Sequence, residues 1–311
     1  MHSIFTTIYG DMTLRSPIRF PGFSWRHAEA SDKRPSESVR LRRSENRLNT
    51  FEFISWLSAT EDGRVRSYHV PQGVLLCSGA TVRLLVRQCG HSIDFDGISG
   101  DCASISDAIA GLDVGLPIAA LLRGNLVIRA SSVLIEGTTV AIVSDSIDAL
   151  SRLLPNLQAA GAVLLGRSCV IIDANIRNCR CYACDTVYEN PNSATTWNDD
   201  GLGNQRSLRQ PRALSLGCLF VLKPLPKPDH PAKLFLCQAW AAEAETELLS
   251  ASLDAPHAAP FLDLTHFRTA LSNLSKRLPV FVISYASNSQ CWSRLLRVMQ
   301  ESAAIYSSSG L

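Results

Sequence analysis

Ser144, Ser146 and Ser151 stand around a turn that could hold a phosphate group. TTVAIVS reads as a strand, SDS as a small-residue turn, and IDALSRLLPNLQAAG as the helix that follows. A helix beginning straight after a strand offers its unpaired N–H groups to an anion. Serine hydroxyls at such a turn could hold a phosphate oxygen or a Mg²⁺ ion. The cation of this chemistry is missing. A phosphate-binding loop ends on a lysine that reaches the β- and γ-phosphates, and no lysine occurs between Arg34 and Leu222.

Other groups could carry chemistry. Arg129 and Arg167, with Arg177 and Arg180, could form an anion pocket near the same turn; the alternative is surface pairing with Glu136, Asp145, Asp148 or Asp173, and such pairs contribute little. Cys179, Cys181 and Cys184 form a C-x-C-x₂-C pattern. Zinc needs four ligands, and Cys169, Asp185 or His230 could complete a set; the alternative is a loop carrying thiols. Asp199 and Asp200 lie in a Gly/Asn-rich segment and read as turn residues. His266 falls inside FLDLTHFRTAL as a surface or packing residue. No G-x-S-x-G, H-E-x-x-H or G-x-G-x-x-G motif occurs.

The elements that must position these groups alternate in character. RVRSYHV, GVLLCSG, TVRLLVRQ and HSIDFDG are β-rich runs separated by turn residues, which gives a β-rich region over 1–122. Within it, 26–49 is polar and rich in Arg, Ser and Glu, and its composition predicts a mobile loop. Apolar spacing predicts a helix over Ser104–Leu122, broken near Gly115–Pro117. From 123 to 311 strands mix with helices: VIRASSVLIEG, TTVAIVSDS, AVLLG, CVIID, LGCLFVLKPL, KLFLCQAW and PVFVISYA as strands, with helices at 147–161, AAEAETELLSASL, FLDLTHFRTALSNLSKRL and CWSRLLRVMQESAAIY. Residues 174–212 read as loop. This pattern predicts an α/β core behind a β-rich N-terminal part.

Composition bounds the function. Hydrophobic residues are 46% of the 311 and charged residues 19%, enough for a sizeable core. The net charge is +2 and aromatics are 7%, without interleaved basic patches, so nucleic acid is not an expected partner. The longest apolar stretch, Leu126–Val143, is broken by Arg129 and Glu136, and no spanning helix is expected. Ten scattered cysteines and a start, MHSIFTTIYGDMTL, without a signal-peptide pattern point to a cytoplasmic protein with reduced thiols.

VIRASSVLIEGTTVAIVSDSIDALSRLLPNLQAAGAVLLGRSCVIID resembles the core of HPr serine kinase-like proteins, which have a phosphoenolpyruvate-carboxykinase-like fold. ALSLGCLFVLKPL and FLDLTHFRTALSNLSKRLPVFVISYA resemble later elements of that family. IYGDMTLRSPIRFPGF resembles the opening of its branch associated with peptide-maturation gene clusters. The resemblance implies a mixed-sheet, P-loop-type kinase core. It also implies the departures. The loop's first glycine maps to Ser144, later glycines to Ile147 and Ala149, and the lysine to Leu150. Ser146 and Ser151 keep the expected type, Ser151 at the Mg²⁺-binding hydroxyl. The paired aspartates map to Arg167 and Ser168, and the histidine before Ala-Ser to Arg129.

Phosphoryl transfer is positioning plus electrostatics, and these changes remove both. The expectation is a degenerate kinase-like protein without a cofactor. It would act as a binding or scaffold partner of a peptide, a small protein or a peptide-modifying enzyme, and could self-associate. The alternatives are an ATP- and Mg²⁺-dependent serine kinase with a rearranged site, using Lys223, Lys227 or an arginine, and a zinc protein built on the cysteine cluster.

Overall fold

The computed structural model describes residues 5–9, 12–16, 26–27, 38–44, 48, 54–60, 62–99, 101–144, 146–167, 169–173, 180–184, 214–225, 234–252, 255–285 and 290–307. These form a mixed α/β protein in two units. The first takes the described residues up to 125 together with 255–264; the second takes the remainder. The sequence reading divides the chain once, between 122 and 123; the segment 255–264 instead returns to the first unit.

The first unit is a nine-stranded sheet. Its strands are β1 (Phe5–Tyr9), β2 (Met12–Ser16), β3 (Arg26–His27), β4 (Ser38–Arg43), β5 (Ser55–Ala59), β6 (Val65–Val70), β7 (Gly73–Ser78), β8 (Val82–Arg87) and β9 (Ser92–Asp96). Their order is β3-β1-β2-β4-β9-β8-β7-β6-β5, with β4 parallel to both neighbours. The expected loop at 26–49 therefore holds two strands. In SVRLRR, Val39 and Leu41 are buried while Arg40 and Arg42 are exposed. That alternation gives one apolar face despite the charge. The Arg40 N–H donates to His91 O at 2.9 Å.

Helix α1 (Cys102–Leu122) packs over β7 and β8. Asp101 caps it by accepting the Ser104 N–H at 2.7 Å. The expected break at Gly115–Pro117 is absent, and α1 runs unbroken through Pro117. An interior proline costs about 3 kcal/mol, whereas burying Leu116 and Ile118, both 0% exposed, contributes about 1.5–3 kcal/mol each. The helix approaches the sheet closely at Gly111, where a Cβ would meet Leu84 Cδ1 at 2.3 Å. α1 is long and apolar enough to cross a membrane, which the sequence reading did not expect, but 67% of its most apolar stretch is buried within the protein.

The second unit contains β10 (Leu126–Ile128), β11 (Ser131–Ile135), β12 (Thr138–Ser144), β13 (Val163–Gly166), β14 (Cys169–Ile172), β15 (Arg180–Cys184), β16 (Leu214–Pro224), β17 (Leu234–Gln238) and β18 (Val280–Tyr285). β15 is a correction to the loop expected over 174–212; it pairs with β14 and with the start of β16. The centre of the sheet is parallel: β12 and β18 both run alongside β16, one on each side. β11 and β13 extend it antiparallel beyond β12, and β17 beyond β18.

Helices α2 (Ile147–Ala159) and α6 (Gln290–Ser307) lie on one face of this sheet. Leu153 and Leu157 of α2 and Leu295 and Met299 of α6 pack on Val140, Ile142, Cys218, Phe220, Leu222 and Ile283. The rings of Phe220 and Phe281, register partners, stack at 5.3 Å. α2 stops where expected, with Gly161 at φ +94° just past its end. The other helices are α3 (Ala241–Ala251) and α5 (Leu264–Ser275), and a short α4 (Ala255–Ala258) belongs to the first unit.

Candidate functional site

The carboxyl ends of β12, β16 and β18 lie together, because Ser144 pairs with Leu222 and Pro224 with Tyr285 in parallel register. In open α/β sheets this edge is where ligands sit. Here it carries a strand-to-helix junction of only residues 145 and 146. The Ser144 hydroxyl accepts the Ser146 N–H at 3.1 Å and donates to Ser146 O at 3.2 Å. The Ser146 hydroxyl caps α2, accepting the Ala149 N–H at 3.2 Å. Tyr285, 2% exposed, hydrogen-bonds the same hydroxyl. Burial pushes the Tyr285 phenol above its ordinary range, and the Ser146 bond opposes that shift.

The turn is thus satisfied from within. An N–H group that a phosphate would use is already bonded to Ser146. Asp148, exposed in the first turn, adds a negative charge where the helix dipole would attract an anion. Ala149 is buried, and Leu150 packs against the core. Ser151 is exposed, and its hydroxyl donates to Asp148 O at 2.9 Å, within its own helix.

Arg129 and Arg167 come to the same edge through the backbone. The Arg129 N–H donates to Ala251 O at 2.9 Å, and the Ser131 hydroxyl donates to Arg167 O at 3.3 Å. Ser131 opposes Ile142 on β12, so both arginines lie toward the Ser144 end. Lys223 is different. Cys218, Phe220 and Leu222 face α2, so the period of two turns Lys223 to the opposite face. There it forms an ion pair with Glu247 of α3.

The cysteine pattern is only partly within the described residues. Cys181 is buried on β15; Cys179 lies outside them. Lys227, Arg177, Asp185, Asp199, Asp200 and His230 also lie outside the described residues. His266 is exposed on α5.

Two features escaped the sequence reading. Tyr285 looked like one more residue of an apolar strand; nothing in PVFVISYA ties it to Ser146. In the first unit, Ser67 and His257 meet across 190 residues, Oγ to Nδ1 at 2.8 Å, both buried. The Ser67 hydroxyl also lies 3.1 Å from Ser58 O, to which it donates. The Ser67–His257 bond ties β6 to α4, with donor and acceptor set by the imidazole tautomer.

No protein-family model matches this chain, and no curated protein matches it. Among solved structures, the Hpr(Ser) kinase/phosphatase from Coxiella burnetii resembles it at 12% identity and a TM-score of 0.28, over 58% of this chain and 94% of that chain. A superposition this loose transfers no residue role. The mixed α/β class rests on the chain's own topology.

Proposed function

We propose that this chain is a kinase-like protein that does not transfer phosphate and serves as a binding partner of a peptide, a small protein or a peptide-modifying enzyme. One observation carries the loss of phosphoryl transfer: the Ser144–Leu150 junction bonds to itself and packs Leu150 against the core. A phosphate cradle needs open N–H groups and a cation. The rival reading, a kinase with a rearranged site, would use Lys223, Lys227 or an arginine; Lys223 is engaged with Glu247 on the opposite face, Lys227 lies outside the described residues, and Arg129 and Arg167 lie toward the Ser144 end.

The partner class comes from the sequence resemblance to the peptide-maturation branch. A binding role is supported by the edge of the second sheet. Among the described residues β17 pairs on one side only, with β18. Phe235, Leu236 and Trp240 stand exposed along it at 54%, 42% and 82%. Open strand edges with exposed apolar side chains favour pairing with another chain.

Isothermal titration of the full chain with MgATP tests the first part. The expected result is no binding heat up to millimolar nucleotide; micromolar binding would overturn it. A peptide encoded beside the chain, titrated without nucleotide, tests the second. Binding that neither needs nor responds to MgATP is expected, and phosphorylation of that peptide would refute the reading.

A further inference from the structure

The ladder between β17 and β18 fixes which backbone groups of β17 face outward. The Ala239 N–H donates to Val280 O at 2.8 Å, one step beyond the register pair Gln238 and Phe281. Residues 239 and 280 are therefore a hydrogen-bonded pair, and such pairs alternate with non-bonded ones along an antiparallel ladder. Phe235 and Cys237 turn their backbone groups to β18, whereas Leu236 and Gln238 turn theirs away from it. Among the described residues no strand lies on that outer side. The side chains are open too. Phe235 and Cys237 share one face of the strand, Leu236 and Gln238 the other, and all four are exposed. A helix laid on one face would leave the other in water. An added strand pairs the outward N–H and C=O groups and flanks both faces at once.

The charge at this edge has one sign. From Leu234 to Ser252 the chain carries Glu243, Glu245 and Glu247 and neither lysine nor arginine. Lys223 neutralises Glu247. Glu243 is exposed, and its carboxylate is held at the strand's end by accepting the Trp240 N–H at 3.3 Å. Trp240 itself is 82% exposed. An exposed indole and a carboxylate both attract a cation. We propose that β17 is the docking edge for a peptide, which adds to it as an antiparallel strand. The peptide segment is apolar where it flanks Phe235, Leu236 and Cys237. It carries a lysine or arginine at its N-terminal end, which the antiparallel sense brings past Gln238 to Trp240 and Glu243. This inference rests on the peptide-binding reading and gives that partner a place and a chemistry.

The probe is the peptide acetyl-Lys-Thr-Val-Val-Val-Thr with a C-terminal fluorescein, read by anisotropy against the full chain. A second probe has glutamate in place of the lysine. The lysine probe should bind saturably, and the glutamate probe about tenfold more weakly or worse. Leu236→Pro deletes an outward N–H and leaves the β17–β18 bonds in place, so it should weaken the lysine probe about tenfold or more at a nearly unchanged melting temperature. Gln238→Pro serves if that variant fails to fold. Glu243→Lys should turn the preference to the glutamate probe. No binding of the lysine probe, or equal binding by Leu236→Pro, would overturn the proposal. So would a dimer of the chain alone that Leu236→Pro returns to monomer in sedimentation, because the edge would then belong to a second copy. The peptide encoded beside the chain separates the two readings. If it binds wild type and Leu236→Pro alike, the edge proposal fails and the binding reading stands. If the lysine probe behaves as expected and that peptide does not bind, the choice of partner fails and the edge stands.

Discussion

Replacing Ser146 with alanine removes two bonds at once. The hydroxyl accepts the Ala149 N–H at 3.2 Å and hydrogen-bonds the phenol of Tyr285. Loss of a helix N-cap hydroxyl costs about 1 kcal/mol. Losing the hydrogen bond to the Tyr285 phenol adds about 1 kcal/mol. The expected destabilisation is therefore about 2 kcal/mol, summing the two. Tyr285→Phe removes the same bond, so the double variant should be more stable than the two single losses predict, by about 1 kcal/mol. Urea denaturation followed by circular dichroism reads this as a shift of midpoint at unchanged slope. A loss below about 0.5 kcal/mol, together with stabilisation of the wild type by millimolar phosphate, would mean that the α2 N-terminus is open to anions. The account of a self-closed junction would then fail.

Other consequences are as direct. Leu150→Lys places a cation near the α2 N-terminus, but on a side chain that packs against the core beside a closed turn; calorimetry should still find no MgATP binding, and the melting temperature should fall. Gly73→Ala should abolish soluble expression or cost about 3 kcal/mol or more, because Gly73 has φ +150° and a Cβ there would sit 2.0 Å from Val86 O. Burial raises the Tyr285 phenol above its ordinary 10.0, so its contribution is full below that pH and is lost as pH rises through it toward the raised value. Tyr285→Phe should accordingly lose stability less steeply above pH 10.0 than the wild type in parallel melts. The Cys218 thiol is pushed up to about 12 by burial; at pH near 8 iodoacetamide should label the exposed Cys89, Cys102 and Cys237 and spare Cys218, read by mass spectrometry.

Much of the fold was legible where local signals agree. β6 to β9 alternate or run apolar between Gly- and Pro-marked turns, and α2 carries its own stop at Gly161. The misreadings share a cause. The charge of SVRLRR hides its strand, because the buried Val39 and Leu41 alternate with arginines whose side chains reach solvent. α1 was cut at Pro117 because the local cost of proline is visible in sequence and the sheet that repays it is not. β15 was hidden because a short strand is held by partners, here β14 and β16, rather than by propensity.

The candidate site divides the same way. Residue types alone determined that no lysine lies between Arg34 and Leu222 and that no glycine lies between Ser144 and Ser151, since chemistry depends on which atoms a side chain carries. Tertiary structure alone decided which groups meet. Parallel register brought Tyr285 to Ser146, and strand alternation turned Lys223 to Glu247. Each of these meetings depends on a sheet register, which is set by the burial of whole strands rather than by any residue near the contact.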